Sequence, residues 1–287
     1  MTAPIPDRRV LIAQISDLHI KPVGLLAYQR VDTAAALAHC IKELNRLTPR
    51  PDLVVISGDL VDAPSKPAYD HLLQLLAGLD LPFAAIPGNH DDRDLMRTAL
   101  PDGYARASGP LHATRAIREV DVVMIDSITP GHDYGMLEAG DLAWLEATLK
   151  ASATRPALLF MHHPPFVTGI GHMDVQNLRN AGDLDLILRR HPRARLVAAG
   201  HVHRAAFTTF AGAAATICPA PNHAVALDLD GRLPPSFTIE PPAFHLHVWM
   251  PGEQAGEEFG TIVTHWIPIG DFDGPHRFFD NQRRLPQ

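Results

Sequence analysis

FAAIPGNHDD, residues 83–92, sets the apolar run Phe83-Ala84-Ala85-Ile86 just ahead of an amide, an imidazole and two carboxylates, Asn89, His90, Asp91 and Asp92. A run this short and this continuously apolar reads as a strand buried on both faces. The same pattern recurs elsewhere in the chain. Residues 10–15 lead into Ser16-Asp17-Leu18-His19, 53–56 into Ser57-Gly58-Asp59, 157–161 into His162-His163-Pro164-Pro165, and 196–199 into Gly200-His201-Val202-His203. Residues 122–125 form a sixth such run.

Between the runs, residues 33–47, 67–79, 138–149 and 183–190 repeat apolar side chains at helical spacing, as with Leu37, Cys40, Ile41 and Leu44 in the first. Thr33 is the expected cap of that helix. Strand and helix alternate, so the fold class is α/β. Beyond Gly200 the stretches 205–210, 214–218 and 224–229 are joined by Gly or Pro turns and predict a second, more antiparallel sheet. Pro234-Pro235 and Pro241-Pro242 then mark a division between a catalytic domain, residues 1–233, and a C-terminal extension, residues 234–287. In the extension Phe244-His245-Leu246-His247-Val248-Trp249 alternates with period two, and residues 259–269 form another strand. The expectation for the first is a half-buried strand with its histidines toward solvent.

Composition narrows the function. With 287 residues, 46% of them hydrophobic, the chain can bury a large core. A net charge of −7 with no basic stripe argues against nucleic acid as a standing partner. No apolar run approaches the roughly 20 residues of a membrane helix, and residues 1–14 lack the pattern of a secretory leader, so no membrane association and a cytoplasmic location are expected. Cys40 and Cys218 stand outside any metal-binding spacing and read as small buried hydrophobes.

The carboxyl ends of the strands of an α/β sheet line its ligand crevice, and here five of them deliver Asp17, His19, Asp59, Asn89, His162, His201 and His203. Carboxylates and imidazoles without thiolate suit divalent Mn, Fe, Zn or Co better than Ca. In extended backbone Asp17 and His19 would point to one side, as would His201 and His203. Seven ligands exceed one tetrahedral site; two metal ions about 3.5–4 Å apart, sharing a carboxylate, would use them all.

In this order the motifs D-x-H, G-D, G-N-H-D, H-x-P and G-H-x-H resemble those of the calcineurin-like metallophosphoesterases. Leu18 after Asp17, the His162-His163-Pro164-Pro165 run and Gly200-His201-Val202-His203-Arg204 are most similar to the branch of class III cyclic nucleotide phosphodiesterases and glycerophosphodiesterases. The resemblance spans residues 15 to about 229. It implies a four-layer α/β/β/α sandwich of two mixed sheets. It also assigns Asp17, His19, Asp59 and His203 to one metal and Asp59, Asn89, His162 and His201 to the other, with Asp59 bridging.

The implied activity is hydrolysis of small phosphodiesters, cyclic nucleotides or glycerophosphodiesters, by a hydroxide held between the metals. The rivals are a phosphomonoesterase of the same fold and, more remotely, a non-catalytic scaffold. His90 would protonate the leaving oxygen or bind a phosphoryl oxygen, with Asp91 holding its other ring nitrogen and Gly88 permitting the sharp turn before them. Asp62 reads as a cap, and Asp92 and Asp94 as first-turn acids of a short helix. His163, His172 and His223 are the candidates for substrate contact, with His132 in the loop 126–135 another histidine near the site. In this branch C-terminal extensions line the active-site rim or a dimer contact, which implies a homodimer or higher oligomer here. Phe244, Trp249, Trp266, Phe278 and Phe279 would supply the contact.

Overall fold

The computed structural model describes residues 8–100, 108–152, 154–252 and 259–279. Residues 1–7 and the last eight of the predicted extension lie outside these.

Side chains along a strand alternate between its two faces, and each buried strand here feeds two different cores. In β1 (Val10–Ile15), Val10 and Ile12 face a second sheet, while Ala13 and Ile15 face helices. In β2 (Leu53–Ser57) the same split separates Leu53 and Val55 from Val54 and Ile56. In β6 (Ala157–Met161) it separates Leu158 and Phe160 from Leu159 and Met161. Apolar demand at both parities is why these runs are continuous.

β3 (Phe83–Ile86), β12 (Ala243–Met250) and β13 (Thr261–Pro268) complete a five-stranded sheet in the order β13-β12-β1-β2-β3. The other sheet has six strands, formed with β4 (Ala113–Ile117), β5 (Val120–Ile125), β7 (Ala194–Ala199), β8 (Ala206–Phe210) and β9 (Ala213–Ile217), in the order β4-β5-β6-β7-β9-β8. Helices α1 (Thr33–Arg46), α2 (Lys66–Leu76) and α3 (Arg93–Ala99) cover the outer face of the first sheet. Helices α4 (Ala139–Ala151), α5 (Gly171–Asp174) and α6 (Ala181–Arg189) cover that of the second. The core between the sheets is built of strand residues, so the layers run α/β/β/α. A two-stranded ribbon, β10 (Ala224–Val225) with β11 (Phe237–Thr238), stands apart. Among the described residues no helix is long and apolar enough to cross a membrane.

The structure corrects several expectations. Asp32, not Thr33, caps α1 by accepting from the Ala35 amide, and Thr33 instead donates to the His19 carbonyl. Residues 205–218 make no separate sheet: β9 lies parallel to β7 and β8 closes the same edge. Only two residues of the stretch 224–229 are strand.

Residues 243–268, placed by the sequence in an extension, supply two strands of the first sheet. β12 pairs antiparallel with β1, Ile12 opposite His247, and so closes an edge that would otherwise be left open on a fully buried strand. The parity of β12 points His245, His247 and Trp249 into the space between the sheets and Phe244 into the helix-side core. The two histidines are therefore buried rather than solvent-facing, and Phe244 and Trp249 are not available to a partner. Trp266, Phe278 and Phe279 are exposed. Cys40 and Cys218 are free and buried, as expected.

The buried histidines make the fold sensitive to acid. His247 donates from Nε2 to Gln14 Oε1 (3.0 Å) and accepts at Nδ1 from Thr264 Oγ1 (2.8 Å), whereas neither ring nitrogen of His245 has a partner among the described residues. Burial pushes His245 down to about 4, and burial with the neighbouring His245 pushes His247 well below the ordinary range. The unfolded chain binds these protons near pH 6.5 and the folded chain does not. Their stabilisation is thus complete above about pH 6.5 and is lost as pH falls toward the folded values, at about 1.4 kcal/mol per unit per group. Urea unfolding at pH 7.5 and 5.5 should show a smaller acid-induced drop in His245→Leu than in the parent; equal drops would exonerate His245.

Candidate metal centre

The chain leaves β1, β2 and β7 through left-handed backbone at non-glycine residues: Asp17 (φ 57°), His19 (47°), Asp59 (50°), His201 (72°) and His203 (57°). The expected extended D-x-H and H-x-H segments are therefore tight turns. Asp and His are among the L residues that tolerate this region best. The turns are tied together. Asp17 N donates to Gly58 O, His19 N to Asp59 O and Ile20 N to Leu60 O, while the Asp17 carboxylate accepts from His201 N across the two sheets.

Two groups of ligand atoms result. Those of Asp17, His19, Asp59 and His203 lie within 4.8 Å of one another, with His203 Nε2 3.3 Å from Asp17 Oδ1 and 3.1 Å from His19 Nε2. On the other side His162 Nε2 lies 3.1 Å from Asn89 Oδ1, and His162, His163 and His201 form a second cluster. Asp59 Oδ2 stands between the groups, 3.6 Å from His19 Nε2 and 3.4 Å from His162 Nε2.

Charge at the centre is balanced by proximity rather than by solvent. Burial would raise the Asp59 carboxyl, but His162, His90 and His19 hold it well below its usual value. Asp17 is likewise brought down to about 2 against its burial, chiefly by His203. Burial opposes a charged His162, yet Asp59 and Asp17 lift it to about 9, while burial drives His201 well down.

The residues fit two divalent ions. The donors are carboxylates, imidazoles and one amide oxygen, a borderline-hard set. His201 Nε2 is buried without a hydrogen-bond partner among the described residues. The outward nitrogens of two other histidines are hydrogen-bonded, which fixes their rings, and that of a third faces a carboxylate. His162 Nδ1 donates to Ser57 O (3.0 Å), His203 Nδ1 meets His223 Nε2 (3.2 Å), and His19 Nδ1 faces Asp62 Oδ1 (3.6 Å). Asp62 is thus no cap; it joins His19 to Lys21, and these two hold its carboxyl far below the ordinary range.

Gly88 is needed for closeness rather than for an unusual φ. A Cβ there would sit 2.2 Å from Asp59 Oδ1 and 2.4 Å from its backbone nitrogen. His90, next to Asn89, hangs on the neighbouring loop by its backbone N–H to Asp59 Oδ1 (2.9 Å) and by Nδ1–H to the Asp62 carbonyl (2.7 Å). Asp91, expected on His90, does not hold it. Its buried carboxylate accepts from Gly88 N (2.9 Å), Leu60 N (3.0 Å) and Tyr69 Oη (2.9 Å), which pins the loops after β2 and β3 to each other. Burial and then Asp59 lift this carboxyl to about 6. Asp94 lies in the first turn of α3, as read from the sequence, whereas Asp92, expected there as well, is its N-cap and accepts from the Asp94 and Leu95 amides. Asp91→Ala leaves three buried donors unsatisfied and should cost about 3 kcal/mol in urea unfolding; a change under about 0.5 kcal/mol would show that water replaces the carboxylate.

A cavity of about 410 Å³ opens on the centre and is lined by His19, Asp59, Asn89, His90, His201 and His203. Of the predicted substrate histidines, His172 and His223 line it as well. His223 also backs the ligand His203. His163 does not line it: it is buried, with Nδ1 on Ser127 Oγ (2.9 Å) and Nε2 on the Asp133 carbonyl (3.2 Å), and it anchors the loop 126–135. His132 lies in that loop, stacked on Tyr134. Sequence reasoning missed Tyr28, Phe237 and Gln176 in the lining. No periodicity or motif marks them: Tyr28 and Gln176 lie in turns, and Phe237 in the two-residue strand β11.

The model of the calcineurin-like phosphoesterase family matches residues 10–205. A probable glycerophosphodiester phosphodiesterase, GpdQ, of Arcobacter nitrofigilis is 37% identical over 279 residues, 96% of this chain and 99% of that protein. The 3',5'-cyclic adenosine monophosphate phosphodiesterase CpdA of Escherichia coli is 32% identical over 208 residues, 71% of this chain and 74% of that protein. Among solved structures, a dimetal phosphatase from Danio rerio superposes with a TM-score of 0.60 at 16% identity, over 91% of this chain and 99% of the other, a likeness of fold.

Proposed function

The chain belongs to the calcineurin-like phosphoesterase family, and from that premise we propose that it is a hydrolase of small phosphodiesters working with two divalent ions. The observation that carries this reading is Asp59 Oδ2 set between His19 Nε2 and His162 Nε2, beside a cavity that also receives His90.

Asp17, His19, Asp59 and His203 would hold one ion, and Asp59, Asn89, His162 and His201 the other. When bound, the ions supply positive charge against the phosphoryl oxygens and lower the pKa of water. The chain's own residues do the rest. His223 and the Ser57 carbonyl fix the rings of His203 and His162, and the Asp62 carboxylate faces His19 Nδ1 at 3.6 Å. The Asp62 carbonyl takes the Nδ1 proton of His90, which leaves Nε2 for the substrate. Burial lowers the proton affinity of His90, but Asp59 and the Asp62 carbonyl outweigh it and raise the affinity overall, so His90 is suited to deliver a proton to a leaving alkoxide.

Diester preference is supported by the two relatives whose names specify phosphodiesters, and the identity of the ions is proposed only as Mn, Fe, Zn or Co. The test is hydrolysis of bis(p-nitrophenyl) phosphate against p-nitrophenyl phosphate by metal-stripped protein resupplied with Mn(II). A higher kcat/KM on the diester is expected; a higher value on the monoester would move the function to a phosphatase at the same centre. We also propose a cytoplasmic homodimer or larger assembly, supported by the exposed Trp266, Phe278 and Phe279. A single-chain mass in light scattering would overturn the assembly.

A further inference from the structure

One wall of the cavity takes no part in phosphoryl chemistry. Tyr28 and Phe237 stack there with ring centroids 4.9 Å apart and planes 29° apart, and each meets the His223 ring edge-on, at 5.2 and 5.3 Å. Val225 and Met173 line the same space, with Gln176 as a polar group among them.

Tyr28 is held there on purpose-built backbone. Mutual hydrogen bonds between Ala27 and Val31, both 2.9 Å, close a turn in which Tyr28 (φ 51°) and Gln29 (φ 55°) are both left-handed. Two bulky residues in succession adopt that region only where the surroundings impose it. The ring nevertheless stays half exposed, at 50%, so its burial is not what the turn secures.

We propose that Tyr28 and Phe237 form a stacking subsite for a nucleobase carried by the diester, with Tyr28 setting the preference over aliphatic esters. The inference rests on the phosphodiesterase reading and adds a substrate class to it. A phosphate seated among His19, Asn89, His201 and His203 sends its ester group into the same cavity, where Tyr28, Phe237, Met173 and Val225 stand beside the polar Gln176, Ser236 and His172. Such surfaces favour a flat ring that can stack on an aromatic face and touch a methionine sulfur. A volume of about 410 Å³ also falls in the range of sites for ligands larger than glycerol.

The test compares kcat/KM on 3',5'-cyclic adenosine monophosphate and on glycerophosphoethanolamine for the parent, Tyr28→Leu and Tyr28→Phe. Tyr28→Leu should lose about 10- to 100-fold on the nucleotide and stay within about threefold on the glycerol diester, while Tyr28→Phe stays near the parent on both. Equal losses on the two substrates, or none on the nucleotide, overturn the proposal. Adenosine binding to the metal-free protein reads the subsite without turnover. About tenfold weaker binding by Tyr28→Leu supports it, and equal binding by the two proteins overturns it even if both diesters are hydrolysed. Hydrolysis of neither diester by the parent, with adenosine still bound through Tyr28, would instead sink the phosphodiesterase reading and leave the subsite standing.

Discussion

Asp59→Asn should lower kcat/KM on a phosphodiester by about 10³-fold or more, and the protein should retain at most one tightly held ion per chain. Asp59 Oδ2 approaches a ring nitrogen of each group, at 3.6 Å from His19 Nε2 and 3.4 Å from His162 Nε2. Its replacement by an amide removes the negative charge that both ions would share. Several kcal/mol of charge stabilisation at phosphorus depend on those ions, and about 4 kcal/mol corresponds to 10³ in rate. Asn tolerates the φ of 50° at this position, so the variant should fold and its loss can be read as chemistry. Metal content by plasma emission together with kinetics decides the matter. Two retained ions with activity within tenfold of the parent would show that Asp59 does not bridge.

The second large effect is expected from His90→Ala, a loss of about 10²- to 10⁴-fold on a diester with an alkoxide leaving group. Its ring is fixed by the Asp62 carbonyl and borders the cavity without belonging to either ligand group as assigned, so metal content should not change. A p-nitrophenolate leaving group needs no proton, and on bis(p-nitrophenyl) phosphate the loss should shrink to about tenfold or less. Equal losses on both leaving groups would make His90 a binder of the phosphoryl group and not an acid. Loss of metal would make it structural.

Strand ends were legible because two separate constraints mark them. Burial on both faces makes the run apolar, and a crevice at its carboxyl end makes the next residues polar; residues 83–92 carry both signals in ten positions. The residues that gather at the centre could be read for the same reason. Sheet membership could not. Phe244 to Trp249 alternates like a strand with one wet face, and only pairing with β1 turns that face toward the second sheet, where His247 finds Gln14. Asp91 shows a further limit. Adjacency suggested His90 as its partner, but its carboxylate accepts from Leu60 N and Tyr69 Oη, 31 and 22 positions away. Tyr28 was hidden altogether, since its role depends on a turn whose conformation opposes the local preference of its residues.

The left-handed turns at Asp17, His19, Asp59, His201 and His203 narrow the alphabet at these positions twice over. Each must offer an oxygen or nitrogen to a cation, and each must also accept a backbone that β-branched and bulky aliphatic residues resist. Asp, Asn and His satisfy both demands, whereas Glu or Cys, though able to coordinate, would meet the second less well. The turns therefore act as a filter on drift. A neutral walk through sequence can exchange Asp for Asn and dim the chemistry while the loops survive, and a descendant that had lost its activity in this way would still carry the same five bends as a record of what they once held.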